Sequence, residues 1–201
     1  MASGERPGLI FDYGGFPPHT YRLTYPAPGS PAVARRVAEL GASAGIEVAL
    51  DAGYGWDHGV FVPVAVSWPE ADVPIVAVSL RTGLDPTEHV AFGRALAPLR
   101  DENVMILGSG LSVHDLSFRV SASEATAFDR WLEKALALDP ADRPAALARW
   151  SEAPGGRACH PREEHLLPLM VVVGAGGEAE AVRTYRDTML GWPVAAYAFA
   201  A

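Results

Sequence analysis

Apolar positions along this chain fall into two patterns. In the first they recur at helical spacing. Val33, Val37 and Leu40 share one face of residues 31–44, a stretch that opens on Pro31, and a proline at the first helical position is pre-set for the helix. Phe128, Leu132 and Leu136 do the same in "SASEATAFDRWLEKALAL", where Ser121 and Glu124 have capping-box spacing. "DPTEHVAFGRALAPLR" starts with Asp85 as a cap, then Pro86, then Glu88, and predicts another helix. "DPADRPAALARW" reads as a short helix, although Pro144 weakens it. Residues 161–173 read as a helix from Pro161 to a stop at Gly174, and 178–190 as a further one.

In the second pattern apolar residues are consecutive. "VPIVAVSL" (73–80) and "NVMILGSG" (103–110) have the composition of strands covered on both faces. "IEVAL" (46–50) predicts a shorter strand and "WPVAAYAFA" a last one. Alternating strands and helices predict a single α/β domain over residues 1–201, with a central buried mixed or parallel sheet flanked by helices and the two long runs as neighbouring core strands. Residues 11–30, rich in Gly, Pro and Tyr, read as an extended aromatic loop.

Length and charge narrow the function classes. The 201 residues suffice for one sizeable core. Net charge is −8, which argues against nucleic acid and anionic membrane as partners. The single cysteine, Cys159, allows no internal disulfide and suits a reducing cytoplasm. The first residues lack the pattern of a signal peptide, and the longest apolar run, "HLLPLMVVVGAGG", is too short to span a bilayer. A cytoplasmic location is expected.

Candidate chemistry rests on histidines. None of the six has HExxH or zinc-finger spacing, and there is no GxSxG elbow or GxxxxGK[ST] loop. "GSGLS" (108–112) follows an expected strand, a weak signal for a phosphate cradle. His58 stands in a glycine-flanked loop before an apolar stretch, His114 where a site at the end of a strand would lie, and His165 beside Glu163 and Glu164 in the first turn of an expected helix. For each, a structural role and a chemical one stay open on the residues alone. His114 could simply bond its own loop. At His165 the carboxylates could serve the helix end, or the group could hold iron or zinc.

Four stretches occur in order: "DYGGFPPHTYRLTYPAPGSP", "WDHGVFVPVAVSWPEADVPIVAVSL", "FGRALAPLRDENVMILGSGLSVHDL" and "HPREEHLLPLMVVVGAGGE". Together they resemble the class III extradiol ring-cleavage dioxygenases, in the branch that contains the 4,5-DOPA extradiol dioxygenases. The resemblance runs from about Arg6 to the last strand. It implies a non-haem Fe(II) enzyme, with zinc as an alternative occupant, that opens a catechol ring with O2. It places the acid/base histidine of "DHG" on His58, the histidine of the "GSG…H" loop on His114 as a second catalytic group, and the metal ligand of the "EH" motif on His165, with Glu164 as the neighbouring alternative. Tyr25 and Asp57 are the expected substrate-binding residues, and a homo-oligomer is compatible with the family.

Two further ligands of that family belong to an upstream "HGSP"-like loop and a "SAHW"-like strand end. Neither motif occurs in this chain, and His19 matches neither position. The expectation is therefore a dioxygenase chain lacking the family's N-terminal segment, which binds metal weakly by itself. The alternatives are an inactive homologue acting as a ligand-binding or partner subunit and, more distantly, a zinc hydrolase. His58, His114 and His165 are expected to converge on one cleft.

Overall fold

Capping chemistry places the helices where the spacing predicts them. In the computed structural model, which describes residues 1–199, Ser30 caps α1 (Pro31–Ser43) by accepting from the Val33 N–H at 3.3 Å. Asp85 caps α3 (Pro86–Leu96) by accepting from the Thr87 and Glu88 N–H groups at 2.7 and 3.0 Å. Ser121 and Glu124 form the reciprocal capping box of α4 (Ala122–Leu136). Each cap satisfies amides that the first helical turn leaves without partners. Removing the cap in Ser121→Ala should cost about 1 kcal/mol, read as a lower urea midpoint with an unchanged slope. A midpoint equal to that of the parent would show that the box contributes nothing.

The chain divides into two compact units, Met1–Ser79 and Leu80–Ala201. The first holds α1, α2 (His58–Ser67) and a 3-10 turn over Pro18–Arg22. Its core gathers Ala2, Tyr25, Ala27, Trp56, Phe61 and Val64. Extended segments touch there through isolated parallel bridges, Ala2 to Asp51, Leu9 to Trp56 and Gly29 to Ile75.

The second unit is mainly helical. Beyond α3 and α4 it contains α5 (Arg143–Ala148), α6 (Gly156–Cys159) and α7 (Leu167–Gly176), then an antiparallel hairpin of β1 (Val182–Met189) and β2 (Trp192–Ala198). Phe128, Leu132, Leu136, Leu147, Trp150, Leu167 and Met170 fill its core. Helices α3 and α7 meet backbone to backbone: a Cβ on Gly93 would collide with the Val171 carbonyl, and one on Gly174 with the Val90 carbonyl. The hairpin is fastened to α4 by Arg183, which donates to Asp129 Oδ1 at 2.8 Å and to the Tyr197 hydroxyl at 2.6 Å.

The expected central buried sheet is not formed among the described residues; the ladder present is the hairpin. Residues 103–110 are extended, with Val104 and Ile106 half-buried but Met105 and Leu107 exposed to 63% and 53%. In 73–80 a single bridge engages Ile75, and Val73 and Val78 are exposed. An apolar run reports affinity for burial, but a ladder also needs a neighbour to pair with its amides along its length; 73–80 is engaged only where the Ile75 N–H donates to the Pro28 carbonyl and the Ala77 carbonyl accepts from the Ala2 N–H, each at 2.9 Å. The segment 46–50 is likewise extended without a ladder.

Two helix expectations move. Residues 178–190 contain β1, because "VRTYRDTM" carries the β-formers Val182, Thr184, Tyr185 and Thr188 and turns at Gly191, whose φ is +84°. The helix placed at 161–173 begins only at Leu167, with Pro168 in its first turn. The last strand ends at Ala198, and residue 200 of that expectation lies outside the described residues. The short helix around Pro144 forms, with that proline at its start.

Candidate functional site

Three potential metal donors meet in the second unit. Among the described residues, one nitrogen each from His114 and His165 and one carboxylate oxygen of Glu164 lie within 4.8 Å of one another, all half-buried. The His114 and His165 rings stack at 3.3 Å between centroids, 18° from parallel. His165 and Glu164 sit in the turn that precedes α7, not in its first turn.

Backbone pairing brings His114 to them. The loop 108–114 runs along the segment 159–168. The Leu111 N–H donates to the His165 carbonyl at 3.0 Å and the His114 N–H to the Cys159 carbonyl at 2.8 Å. Gly110 is needed at this approach, because a Cβ there would strike the His165 carbonyl oxygen. "GSGLS" is therefore a close-packing loop. It does not open a helix, so it forms no phosphate cradle at a helix N-terminus.

Neighbouring polar groups brace the loop. His160 is fully buried, and its Nε2 donates to the Ser112 carbonyl at 3.1 Å. Burial, chiefly, pushes that imidazole down to about 4, so it stays neutral at physiological pH. Asp115 accepts from the Ser117, Arg119 and Val120 N–H groups; with the Ser117 hydroxyl, these bonds hold its carboxyl down at about 2. Glu163 is engaged by Arg157 at 3.1 Å, and Glu164 has Arg162 at 3.4 Å. Cys159 is buried and its thiol pushed up to about 12, by desolvation first and then by Glu124 and Asp115. Thiol reagents are thus expected to label Cys159 only as the protein unfolds, with labelling tracking the denaturant transition. Fast labelling of native protein would contradict this burial.

The first unit holds His58. It is not in a loop but at the first position of α2, whose cap is Asp57; the Asp57 carboxylate accepts from Val60 N–H at 3.2 Å. The His58 ring Nδ1 lies 2.7 Å from Asp12 Oδ1, and its backbone N–H donates to the same oxygen at 3.1 Å. Tyr13 meets the imidazole edge-on at 5.9 Å and belongs to a cluster with Phe11, Phe16, Tyr21 and Phe61. Tyr25 is in the core, with its hydroxyl 2.8 Å from the Trp68 carbonyl and 3.2 Å from that of Val64. His19 is exposed. His89 is buried and structural: Nδ1 lies 2.6 Å from the Asp85 carbonyl and Nε2 accepts from Arg81 N–H.

A family described as the catalytic LigB subunit of aromatic ring-opening dioxygenase matches residues 2–200. The chain belongs to this family. Among relatives of the LigB family, dioxygenase tasH of Hapsidospora irregularis is 42% identical over 98% of the chain and 66% of its own length. The 4,5-DOPA dioxygenase extradiol of Portulaca grandiflora is 40% identical over 99% of the chain and 76% of its own length. That of Escherichia coli K12 is 37% identical over 89% and 68%. A crystal structure of an uncharacterized Escherichia coli K12 protein superposes with a TM-score of 0.77 at 30% identity, covering 96% of this chain and 78% of the other. The chain thus spans roughly two thirds to three quarters of the length of these relatives.

The donor set suits a LigB-type metal. Two imidazoles and a carboxylate are the ligands that iron(II) and zinc share, and three of them leave coordination positions open. Sequence reasoning singles out His58, His114, His165 and, as an alternative, Glu164; donor atoms of the last three come together, while His58 stands at the start of α2 in the first unit. Sequence reasoning misses Asp12, which lies 46 residues from His58 and carries no local signal of that pairing. Among the described residues no helix is long and apolar enough to cross a membrane.

Proposed function

We propose that this LigB-family chain takes part in extradiol cleavage of a catechol-type, DOPA-like aromatic by O2, with Fe(II) as cofactor and zinc as an alternative occupant of the same site. The observation that carries this reading is the convergence of His114, Glu164 and His165 donor atoms within 4.8 Å, in a chain whose relatives are named as 4,5-DOPA extradiol dioxygenases.

In this reading His165 and Glu164 hold the metal, and His114 takes one of two roles, third donor or acid/base group beside the metal. An iron(II) held there would supply open coordination positions for the diol and O2 and would pass electrons to O2 from the catecholate, whose ring is the reductant. His58 moves protons. A catechol must lose them to chelate, and imidazole is the side chain suited to accept them near neutral pH. The aromatic cluster of Phe11, Tyr13, Phe16 and Tyr21, packed mostly edge to face, offers apolar ring faces and edges of the kind an aromatic substrate packs on. Asp57 and Tyr25 contribute by fixing α2, the first as its cap and the second through its hydroxyl at the end of the helix.

The test is direct. Protein reconstituted with Fe(II) under anaerobic conditions is given L-DOPA and then O2. Stoichiometric O2 uptake with appearance of a yellow semialdehyde supports the reading. Metal-loaded protein that consumes no O2 with any of a panel of catechols would contradict it and favour a ligand-binding role.

A further inference from the structure

Asp12 and His58 are paired in a specific geometry. One carboxylate oxygen, Oδ1, receives two groups of the same residue: the His58 backbone N–H at 3.1 Å and the ring Nδ1 at 2.7 Å. Partial burial pushes the Asp12 carboxyl upward, but the hydrogen bonds from the His58 ring and backbone outweigh it and hold the group below its ordinary value. Asp12 is therefore ionised near neutral pH. An ionised carboxylate can only accept, so the proton between the two residues resides on Nδ1.

We propose that Asp12 is the positioning residue for His58: it locks the imidazole in the Nδ1–H tautomer and leaves Nε2, with its free lone pair, as the atom that exchanges protons with substrate. The inference rests on His58 being the acid/base group. In the step itself a substrate hydroxyl O–H bond breaks, an N–H bond forms at Nε2, and the electron pair stays on the substrate oxygen. The imidazolium so formed faces the Asp12 carboxylate, which offsets its charge.

One further contact restricts the ring, and the surrounding bonds fix its base. Tyr13 packs edge-on against it, and the Tyr13 hydroxyl is itself tied to the Thr20 carbonyl at 2.8 Å. The backbone N–H bond to Asp12 fixes the first residue of α2 relative to the same carboxylate that fixes the ring. Asp57, the other nearby carboxylate, is occupied with the Val60 amide. Asp12 and His58 remain partly exposed, at 37% and 48% of their side chains, so the ring is held without being sealed from a small molecule.

The tautomer is measurable without turnover. Histidine-selective 15N labelling, with the His58 signals assigned by their loss in His58→Gln, reports which ring nitrogen is protonated in the neutral form. The intact chain is expected to show the Nδ1–H form. Asp12→Ala is expected to lose that preference and to lower kcat by about tenfold or more, yet by less than His58→Ala does. Asp12→Asn, which keeps a neutral acceptor at the same place, is expected to retain the Nδ1–H form and recover part of the rate. An Nε2–H signal in the intact chain, or a tautomer unchanged in Asp12→Ala, overturns the inference whatever the activity. Normal turnover in His58→Ala instead overturns the acid/base reading, while the tautomer data still show whether Asp12 holds the ring. Because Asp12 is partly exposed, both variants are expected to fold, and their amide spectra check that.

Discussion

Replacing His58 with alanine is expected to lower kcat by on the order of 10²–10⁴ while leaving the bound metal in place. The effect follows from where the residue stands. His58 is held by a carboxylate and an aromatic edge, whereas the potential metal donors His114, Glu164 and His165 form their own group. A group that only moves protons lowers the barrier without contributing to metal affinity, so rate and metal content should separate. Metal analysis and steady-state O2 uptake on the same preparation make the comparison. Loss of metal in His58→Ala, or turnover within a few-fold of the parent, would remove His58 from that role.

His165→Ala should behave in the opposite way. It takes one imidazole from the three donors, so metal affinity and activity should fall together. The loss in affinity should exceed the roughly 10–100-fold that removal of a merely supporting group costs. Calorimetric titration of the chain with Zn(II), and anaerobically with Fe(II), reads it. His114→Ala then divides the two roles open to that residue. A similar loss of affinity makes it a ligand, and retained metal with lost turnover makes it an acid/base group. Absence of measurable binding by the parent chain would mean that the donor cluster is not a metal site.

The helices were legible because their signals are local. Asp85, Ser121 and Glu124 cap within their own first turns, and a four-residue pattern needs no knowledge of the rest of the chain. The extended runs were not legible in the same way. "NVMILGSG" states that apolar residues want burial, but it does not say which segment will run beside them. Met105 and Leu107 remain exposed for want of a neighbour. Residues 178–190 read as a helix because Glu178, Glu180 and the arginines mimic its polar side, while the β-formers Val182, Thr184, Tyr185 and Thr188 and the turn at Gly191 decide the outcome. At the site, His165 and Glu164 were readable as neighbours in sequence. The approach of His114 depends on the bonds of Leu111 and His114 to distant carbonyls, and the Asp12 contact depends on a tertiary fold that no spacing announces.

The way the donor group is put together links it to the conformational equilibrium of the second unit. Glu164 and His165 are adjacent and stay together in an unfolded chain, but His114 joins them only when the loop 108–114 is zipped against residues 159–168. A denatured ensemble must therefore close a long loop before it can offer the third donor, and it holds a cation less well than the folded form does. A cation that prefers the folded form pulls the population toward it in proportion to that preference. Metal availability would then set more than catalytic competence: it would act as ballast for the fold, governing how long the loop stays zipped under heat or denaturant.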